Sequence, residues 1–311
     1  MESESATVLI LGANGQVGRA LTRAWTSRGA VIALDRSQAD LADLPGLKAV
    51  LERARPSLIL NAAAYTAVDK AESEPELAHR VNALAPGVLA DYAATHGALL
   101  VHYSTDYVFD GSGESPRDEQ APTGPLSVYG ATKLEGEQRI ATSGCTHLTL
   151  RTSWVYAASG HNFLRTMLRL AAERETLAVI DDQVGVPTHA AWLAAITTHM
   201  VPALQGNPTL SGLYHAVPAG ETTWCRYARR VIDTARAHGL PLRVPPDGVR
   251  AIKTSDYPTA ARRPLNSRLC TAKLQRAFGL TPPEWSVAVD ETVMTLLQDA
   301  QRPPTMASSP T

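Results

Sequence analysis

The chain has little cysteine: three residues in 311, Cys145, Cys225 and Cys270, far apart, with no C-x-x-C pair and no histidine at metal-ligand spacing. That scarcity argues against a disulfide framework or a cysteine-built metal centre, and the three read as reduced structural thiols. Net charge is equally scarce. Lysine and arginine number 29 against 30 for aspartate and glutamate, so the formal charge of -1 gives no general attraction to nucleic acid or an anionic membrane. An anionic ligand must meet a local site instead. No hydrophobic run approaches the ~20 apolar residues that span a bilayer, and the opening MESESATVLIL lacks the basic region and cleavage site of a secretory signal. Internal repeats and low-complexity linkers are also missing. The expectation is a soluble cytoplasmic protein with no nucleic-acid and no membrane partner.

What is present is alternation. Short apolar runs trade places with amphipathic stretches through the first half, the pattern of successive βαβ units building a parallel sheet. TVLILG reads as the first strand and residues 16–28 as its crossover helix; AVIALD, SLILNAAA, ALLVHYS and THLTLRTSW follow as strands two to five. Helical stretches fall between them near 46–54, 74–96 and 127–142. Beyond about residue 155 the regularity fails, and Pro-containing loops such as DDQVGVPTH and LPLRVPPDG separate shorter helices. The expected fold is α/β, a Rossmann-type doubly wound parallel sheet with a smaller, irregular C-terminal substrate lobe. Residues 1–155 make the dinucleotide-binding domain, completed by part of 188–216; residues 156–300 make mainly the substrate lobe, and 301–311 a disordered tail. Ligands on such a sheet sit outside the carboxyl ends of its strands.

Strand one runs into GANGQVG, where Gly12, Gly15 and Gly18 permit a tight turn and let backbone N–H groups approach a pyrophosphate at a helix N-terminus. A glycine trio alone also fits a plain strand-to-helix turn. Asp35 adds weight, because it ends strand two about twenty residues on, where an acid accepts hydrogen bonds from adenosine ribose hydroxyls. Arg36 beside it suits a 2'-phosphate, which leaves NADH and NADPH both open. Ala62, Ala63 and Ala64 after strand three leave room for a cofactor to cross the sheet edge, or simply pack closely.

VYGATK places Tyr129 and Lys133 four residues apart, on one face of a helix. A free phenol has a pKa near ~10, and a neighbouring ammonium lowers it towards the range useful for proton transfer. Such pairs also occur on ordinary solvated faces, but here the helix leads into strand five while STDYVF presents Ser104 and Thr105 at the same sheet edge. A hydroxyl there can polarise a substrate carbonyl. The acids of AVDKAESEPE, Asp69, Glu72, Glu74 and Glu76, read for the most part as a solvated helix start. Asn82 reads as a backbone-bonding residue rather than a reagent.

With these motifs in order, the chain resembles the dTDP-4-dehydrorhamnose reductase family of the extended short-chain dehydrogenase/reductase superfamily. The likeness runs from residue 7 to about 295 through GANGQVG, NAAAYTAVDKAESEPE, VHYSTDYVFDG, VYGATKLEGE, RTSWVYA, NFLRTMLRLA, DDQVGVPT, GLYHAV and YPTAARRPLNSRL. The resemblance implies an NADPH- or NADH-dependent reduction of the C4 ketone of a dTDP-4-keto-6-deoxy sugar. It implies Tyr129 as proton donor, Lys133 as the group that orients the cofactor ribose and lowers the phenol pKa, and Thr105 as the hydroxyl at the carbonyl. On the cofactor side it implies Gly12, Asn14, Gly15, Gln16, Val17, Gly18, Asp35, Arg36, Asp40, Leu41, Ala63, Ala64, Tyr65 and Thr66. On the substrate side it implies Asp106, Trp154 on the sugar, and Arg262 and Arg263 at the diphosphate; Trp154 also suits a core position and either arginine a structural ion pair.

Three alternatives stand beside this one: another nucleotide-sugar 4-ketoreductase or epimerase, a dehydratase, or a non-catalytic nucleotide-binding subunit. Dehydratases of this superfamily follow the threonine with an Asp-Glu pair, where this chain has Asp106 and Tyr107, and the intact triad argues against a subunit without turnover. Some members of the resembled family pair through magnesium held by glutamates; at the corresponding places this chain has Ala20 and Ala191, and alanine offers no oxygen ligand. No metal site and no magnesium-bridged dimer are expected, only a monomer or a weak metal-independent dimer.

Overall fold

Five short runs rich in Leu, Ile and Val form the first strands: β1 (Thr7–Leu11), β2 (Ala30–Leu34), β3 (Leu58–Asn61), β4 (Leu99–Thr105) and β5 (His147–Thr152). β3, β4 and β5 are buried along their whole length, which is what a parallel sheet covered on both faces requires. The crossovers are α1 (Gln16–Trp25), α2 (Leu44–Ala54), a broken helix and α6 (Val128–Thr142). The broken helix runs through α3 (Val68–Ala71), α4 (Pro75–His79), a π turn at Arg80–Leu84 and α5 (Ala85–His96). α1 buries Gly18, Leu21 and Trp25, the stripe expected of its 3.6-residue period. The structure, a computed structural model, describes residues 7–301; the expected tail over 301–311 lies, apart from residue 301, outside the described residues.

The second half contributes β6 (Val155–Tyr156), α7 (Phe163–Glu173), β7 (Leu177–Ile180), β8 (Val184–Gly185), β9 (Thr188–His189) and α8 (Ala190–Gly206). After them come β10 (Gly212–His215), β11 (Thr222–Thr223), α9 (Trp224–Ala237), β12 (Val249–Ile252), α10 (Ala272–Phe278) and α11 (Trp285–Gln301). Of these, β10 returns to the central sheet, whose order is β10-β5-β4-β3-β1-β2 with every pairing parallel. Helix α8 packs beside α1 on one face of that sheet, and α2 and α5 cover the other. The chain leaves β1 for β2 on one side and then crosses to β3 on the other. The switch point therefore lies between β1 and β3, where the carboxyl ends of the strands open a crevice.

Helix α10 adds Leu274 and Phe278 to the core on the central sheet, while α7, α9 and α11 pack with β7 and β12 in a separate core. Two loops pin this lobe to the sheet. Ser153 Oγ donates to the Val186 carbonyl at 2.8 Å, and Arg263 holds Asp69 of α3 at 2.6 Å. Among the described residues, no helix is long and apolar enough to cross a membrane.

Candidate active site

The turn after β1 is fixed from the backbone. Gly12 has φ +80, and a Cβ there would lie 2.8 Å from the Ala63 nitrogen, so only glycine fits between the two strand ends. A Cβ on Gly18 would overlap the Gly12 carbonyl, which lets α1 start directly against the loop. α1 begins at Gly15 without a side-chain cap, and the N–H groups of its first turn face outward for an anion. Asn14 Nδ2 donates to Asp35 Oδ2 at 2.6 Å, while the Ser37 N–H and hydroxyl donate to Asp35 Oδ1 at 2.9 and 2.6 Å. The Ser37 bonds, with Asn14 adding to them, hold the exposed Asp35 carboxyl below its ordinary pKa, so it is an anion at neutral pH. Arg36 leans on Asp40 at 3.4 Å across solvent.

Across the crevice, the backbone of Tyr65 is clamped by Asn82 from the π turn. Asn82 Oδ1 accepts from the Tyr65 N–H at 2.8 Å and its Nδ2 donates to the Tyr65 carbonyl at 3.1 Å, the backbone-bonding role its sequence setting suggests. Three acids of AVDKAESEPE depart from the solvated reading, while Glu76 is exposed as that reading expects. Glu74 accepts from the Tyr65 hydroxyl at 2.6 Å, Glu72 from the Val128 N–H that opens α6 at 2.8 Å, and Asp69 from both Arg263 and the Ala261 N–H. Glu72 and Asp69 tie this wall to distant segments, which a charge pattern along the chain does not reveal.

Ser127 caps α6 by accepting from the Gly130 N–H, which aims Tyr129 and Lys133 at the ends of β4 and β5. Tyr129 packs edge-on against Tyr107, with ring centroids 5.7 Å apart, and lines the same cavity as Thr105. Burial, opposed by the neighbouring Thr105 hydroxyl and helped by the Asp106 carboxylate, pushes the phenol up to about 12. This corrects the expectation that Lys133 lowers it. Lys133 Nζ turns instead to the Tyr103 carbonyl at 2.6 Å and to His102 Nε2 at 3.0 Å, and its own burial brings its pKa down to about 8. Asp106, 2% exposed, is raised to about 6 by burial; its Oδ1 accepts from Thr105 Oγ1 at 3.2 Å and its Oδ2 has no protein partner.

Every residue expected at the site lines one cavity of about 730 Å³ except Gly18, Arg262 and Arg263. Gly18 stands behind the loop and serves its packing. Arg263 is committed to Asp69, and Arg262 is exposed outside the cavity wall. Trp154 does reach the cavity, in the left-handed region with φ +47, a conformation that costs a non-glycine residue about 1–2 kcal/mol. One ring face stacks on Trp224 of α9 at 3.7 Å, so a sugar has only the other. Trp224 also lines the cavity and escaped the sequence reading, as did Asn162, whose Nδ2 donates to Gln16 Oε1 at 2.9 Å and binds the glycine loop to the second half. A tryptophan at a helix start carries no signal that another lobe's tryptophan will stack on it.

The cavity suits a dinucleotide: the walls are glycine and alanine where strands β1 and β3 end, and Ser104 Oγ and Thr152 Oγ1 are buried at its floor without protein partners. Residues 6–298 match the family described as RmlD substrate binding domain. The chain is 48% identical over 286 residues to the dTDP-4-dehydrorhamnose reductase of Escherichia coli strain K12, covering 91% of this chain and 95% of that one. It is 46% identical over 296 residues to that of Burkholderia thailandensis, covering 93% and 99%. Among solved structures, a dTDP-4-dehydrorhamnose reductase from Clostridium acetobutylicum superposes with a TM-score of 0.86 at 33% identity, covering 94% of this chain and 99% of that one. One from Bacillus anthracis in complex with NADP superposes at 0.83 with 32% identity over the same shares. On fold, cavity and sequence together, the chain belongs to the dTDP-4-dehydrorhamnose reductase family.

Proposed function

We propose that the protein reduces the C4 ketone of dTDP-4-dehydrorhamnose (dTDP-6-deoxy-L-lyxo-4-hexulose) to dTDP-L-rhamnose, the last step in forming that nucleotide sugar, with NADPH or NADH as reductant. The observation that carries the reading is the meeting of Thr105, Tyr129 and Lys133 with the glycine loop in one cavity. Family membership supports it, and so does the NADP of the Bacillus anthracis relative. Bound in this cavity, the reduced nicotinamide dinucleotide supplies the hydride.

The chain's own residues do the rest. The first-turn N–H groups of α1 hold the pyrophosphate, and Asp35 accepts from the ribose hydroxyls. Tyr129, protonated because burial lifts its phenol, donates that proton to the carbonyl oxygen as negative charge develops there. Thr105 shares the polarisation of the carbonyl, and Lys133 orients the cofactor ribose. Residues 1–155 with part of 188–216 serve the dinucleotide, and 156–300 mainly the sugar nucleotide. There the free face of Trp154 meets the sugar. Arg262 is the candidate for the diphosphate, since Arg263 is held by Asp69.

The test is to supply purified protein with dTDP-4-keto-6-deoxyglucose, a 3,5-epimerase and each reduced cofactor, and to identify the sugar by NMR. Turnover giving dTDP-L-rhamnose is expected with both cofactors. An idle enzyme, or the C4 epimer as product, sinks the reading. EDTA in the same assay is expected to change neither rate nor the mass read by light scattering, because Ala20 and Ala191 give magnesium no ligand. A dimer that falls apart on chelation would place the ligand role on other residues.

Cofactor choice gives a sharper check. The Asp35 anion stands where a 2'-phosphate must come, and like charges repel even across water. Asp35→Ala is expected to move the NADPH to NADH ratio of kcat/KM roughly five- to tenfold towards NADPH. An unchanged ratio would show that Asp35 does not face the ribose.

A further inference from the structure

On the α6 side of the sheet, a line of buried polar groups runs from β3 to Lys133. Asn61 and His102 are register partners on β3 and β4, and they and Lys133 are each 1% exposed. Asn61 Nδ2 lies 3.0 Å from His102 Nδ1, and His102 Nε2 lies 3.0 Å from Lys133 Nζ. The Ala63 bond sets which way the carboxamide faces here. Asn61 Oδ1 accepts from the Ala63 N–H at 3.2 Å, so it is the amino group, with no lone pair to give, that faces the imidazole.

Hydrogen counting then decides the ring. Nδ1 must accept, so a neutral His102 carries its proton on Nε2. That N–H points at Lys133 Nζ, which can accept only as a neutral amine. A charged Lys133 needs the reverse: a lone pair on Nε2, the ring proton on Nδ1, and Asn61 turned over with loss of the Ala63 bond.

We propose that Asn61 and His102 form a tautomer-coupled seat that sets the protonation state of Lys133. In one state Lys133 is an amine, His102 is the Nε2–H tautomer and Asn61 is bonded to Ala63. In the other Lys133 is an ammonium, His102 is the Nδ1–H tautomer and the amide is reversed. The states differ by one proton taken from water, and the imidazole is neutral in both. Asn61 and His102 are positioning residues: they touch neither substrate nor cofactor and act through Lys133. The consequence for reduction rests on the proposed function, but the seat does not.

The surroundings place the change in an accessible range. Burial brings Lys133 down to about 8, opposed by the Glu137 carboxylate one turn along α6, and burial with the Lys133 charge keeps His102 from becoming a cation. The other titratable or charged groups facing the pair are Tyr129 on α6, His147 and Arg151 on β5, with Arg151 bound to Glu137, and Asp106 after β4, which acts on Tyr129. β3 brings the neutral Asn61, and the π turn brings Asn82, bonded to Thr132.

Nitrogen-15 NMR of histidine-labelled, cofactor-free protein reads the tautomer directly, with the His102 signals assigned from His102→Gln. His102 is expected to stay neutral from about pH 6 to about pH 10 and to pass from Nδ1–H to Nε2–H near the pH where Lys133 discharges. In Lys133→Met it should hold one tautomer, Nε2–H, throughout. Asn61→Asp replaces the amino group with an acceptor, which demands Nδ1–H and should raise the midpoint by about one pH unit or more. A single tautomer at every pH in the unmodified protein, or the same passage in Lys133→Met, overturns the proposal. Should Asn61→Asp not fold, those two proteins still decide it. Because no substrate is present, a failed reductase assay would leave this result standing.

Discussion

Tyr129→Phe is expected to lower kcat by about 10²-fold or more, with the fold and the cofactor affinity almost unchanged. The reason is how little else the substitution removes. The ring keeps its edge-on contact with Tyr107, and the helix cap at Ser127 and the Lys133 bonds are independent of the hydroxyl. What goes is the one proton placed beside Thr105 in the cavity. The phenol that burial pushes up to about 12 is fully protonated in the neutral range, as a donor must be. It gives that proton up only when alkoxide charge develops opposite it. Steady-state rates with saturating cofactor, beside a fluorescence titration of cofactor binding, separate the two effects. Turnover near that of the unmodified enzyme would remove Tyr129 from the mechanism.

The same site shows why some of it was readable in the chain and some was not. Gly12 and Gly18 declare themselves because a backbone that must touch another backbone tolerates no Cβ, and this constraint is local to seven residues. Tyr129 and Lys133 declare themselves because four residues along a helix fix a shared face. The five strands were legible as apolar runs, although the turn at Arg80–Leu84 was hidden inside what reads as one helix. Partners brought from other elements left no such trace. Asp69 and Arg263 stand 194 residues apart and meet only because the second lobe folds back over α3.

Lys133 illustrates the limit most clearly. Spacing placed it beside Tyr129, and a charge beside a phenol was expected to draw the phenol down. Spacing does not say where a long side chain ends, and the sheet supplies two better partners, the Tyr103 carbonyl and His102. Desolvation then governs both groups, lifting one pKa and lowering the other. The polar residues inside β4 and β5 could be listed from the sequence, but their pairing follows from strand register, which opposes Asn61 to His102 and Ser104 to Arg151.

Register also sets up the largest stability effect expected in the fold. Arg151 of β5 is buried under α6, where its Nε and one terminal nitrogen donate to Glu137 at 3.0 and 2.7 Å, and the guanidinium carbon lies 5.0 Å from the Phe109 ring centroid. The two side chains are 4% and 7% exposed, so neither charge can turn to water if its partner is lost. Glu137→Leu is therefore expected to cost about 3–5 kcal/mol, a large fraction of the whole stability of a protein of this kind. Arg151→Met should cost about as much, by stranding the carboxylate instead. Removing both should cost far less than the sum, because neither partner is then left as a stranded charge and leucine and methionine fill the space. Urea unfolding of the four proteins closes the cycle. Single variants within about 1 kcal/mol of the parent would mean that water reaches this pair, as it does an exposed one. The double variant, if folded, also reports on chemistry. Glu137 is the charge that opposes the fall in the Lys133 pKa, so in its absence Lys133 should discharge at a lower pH than in the parent.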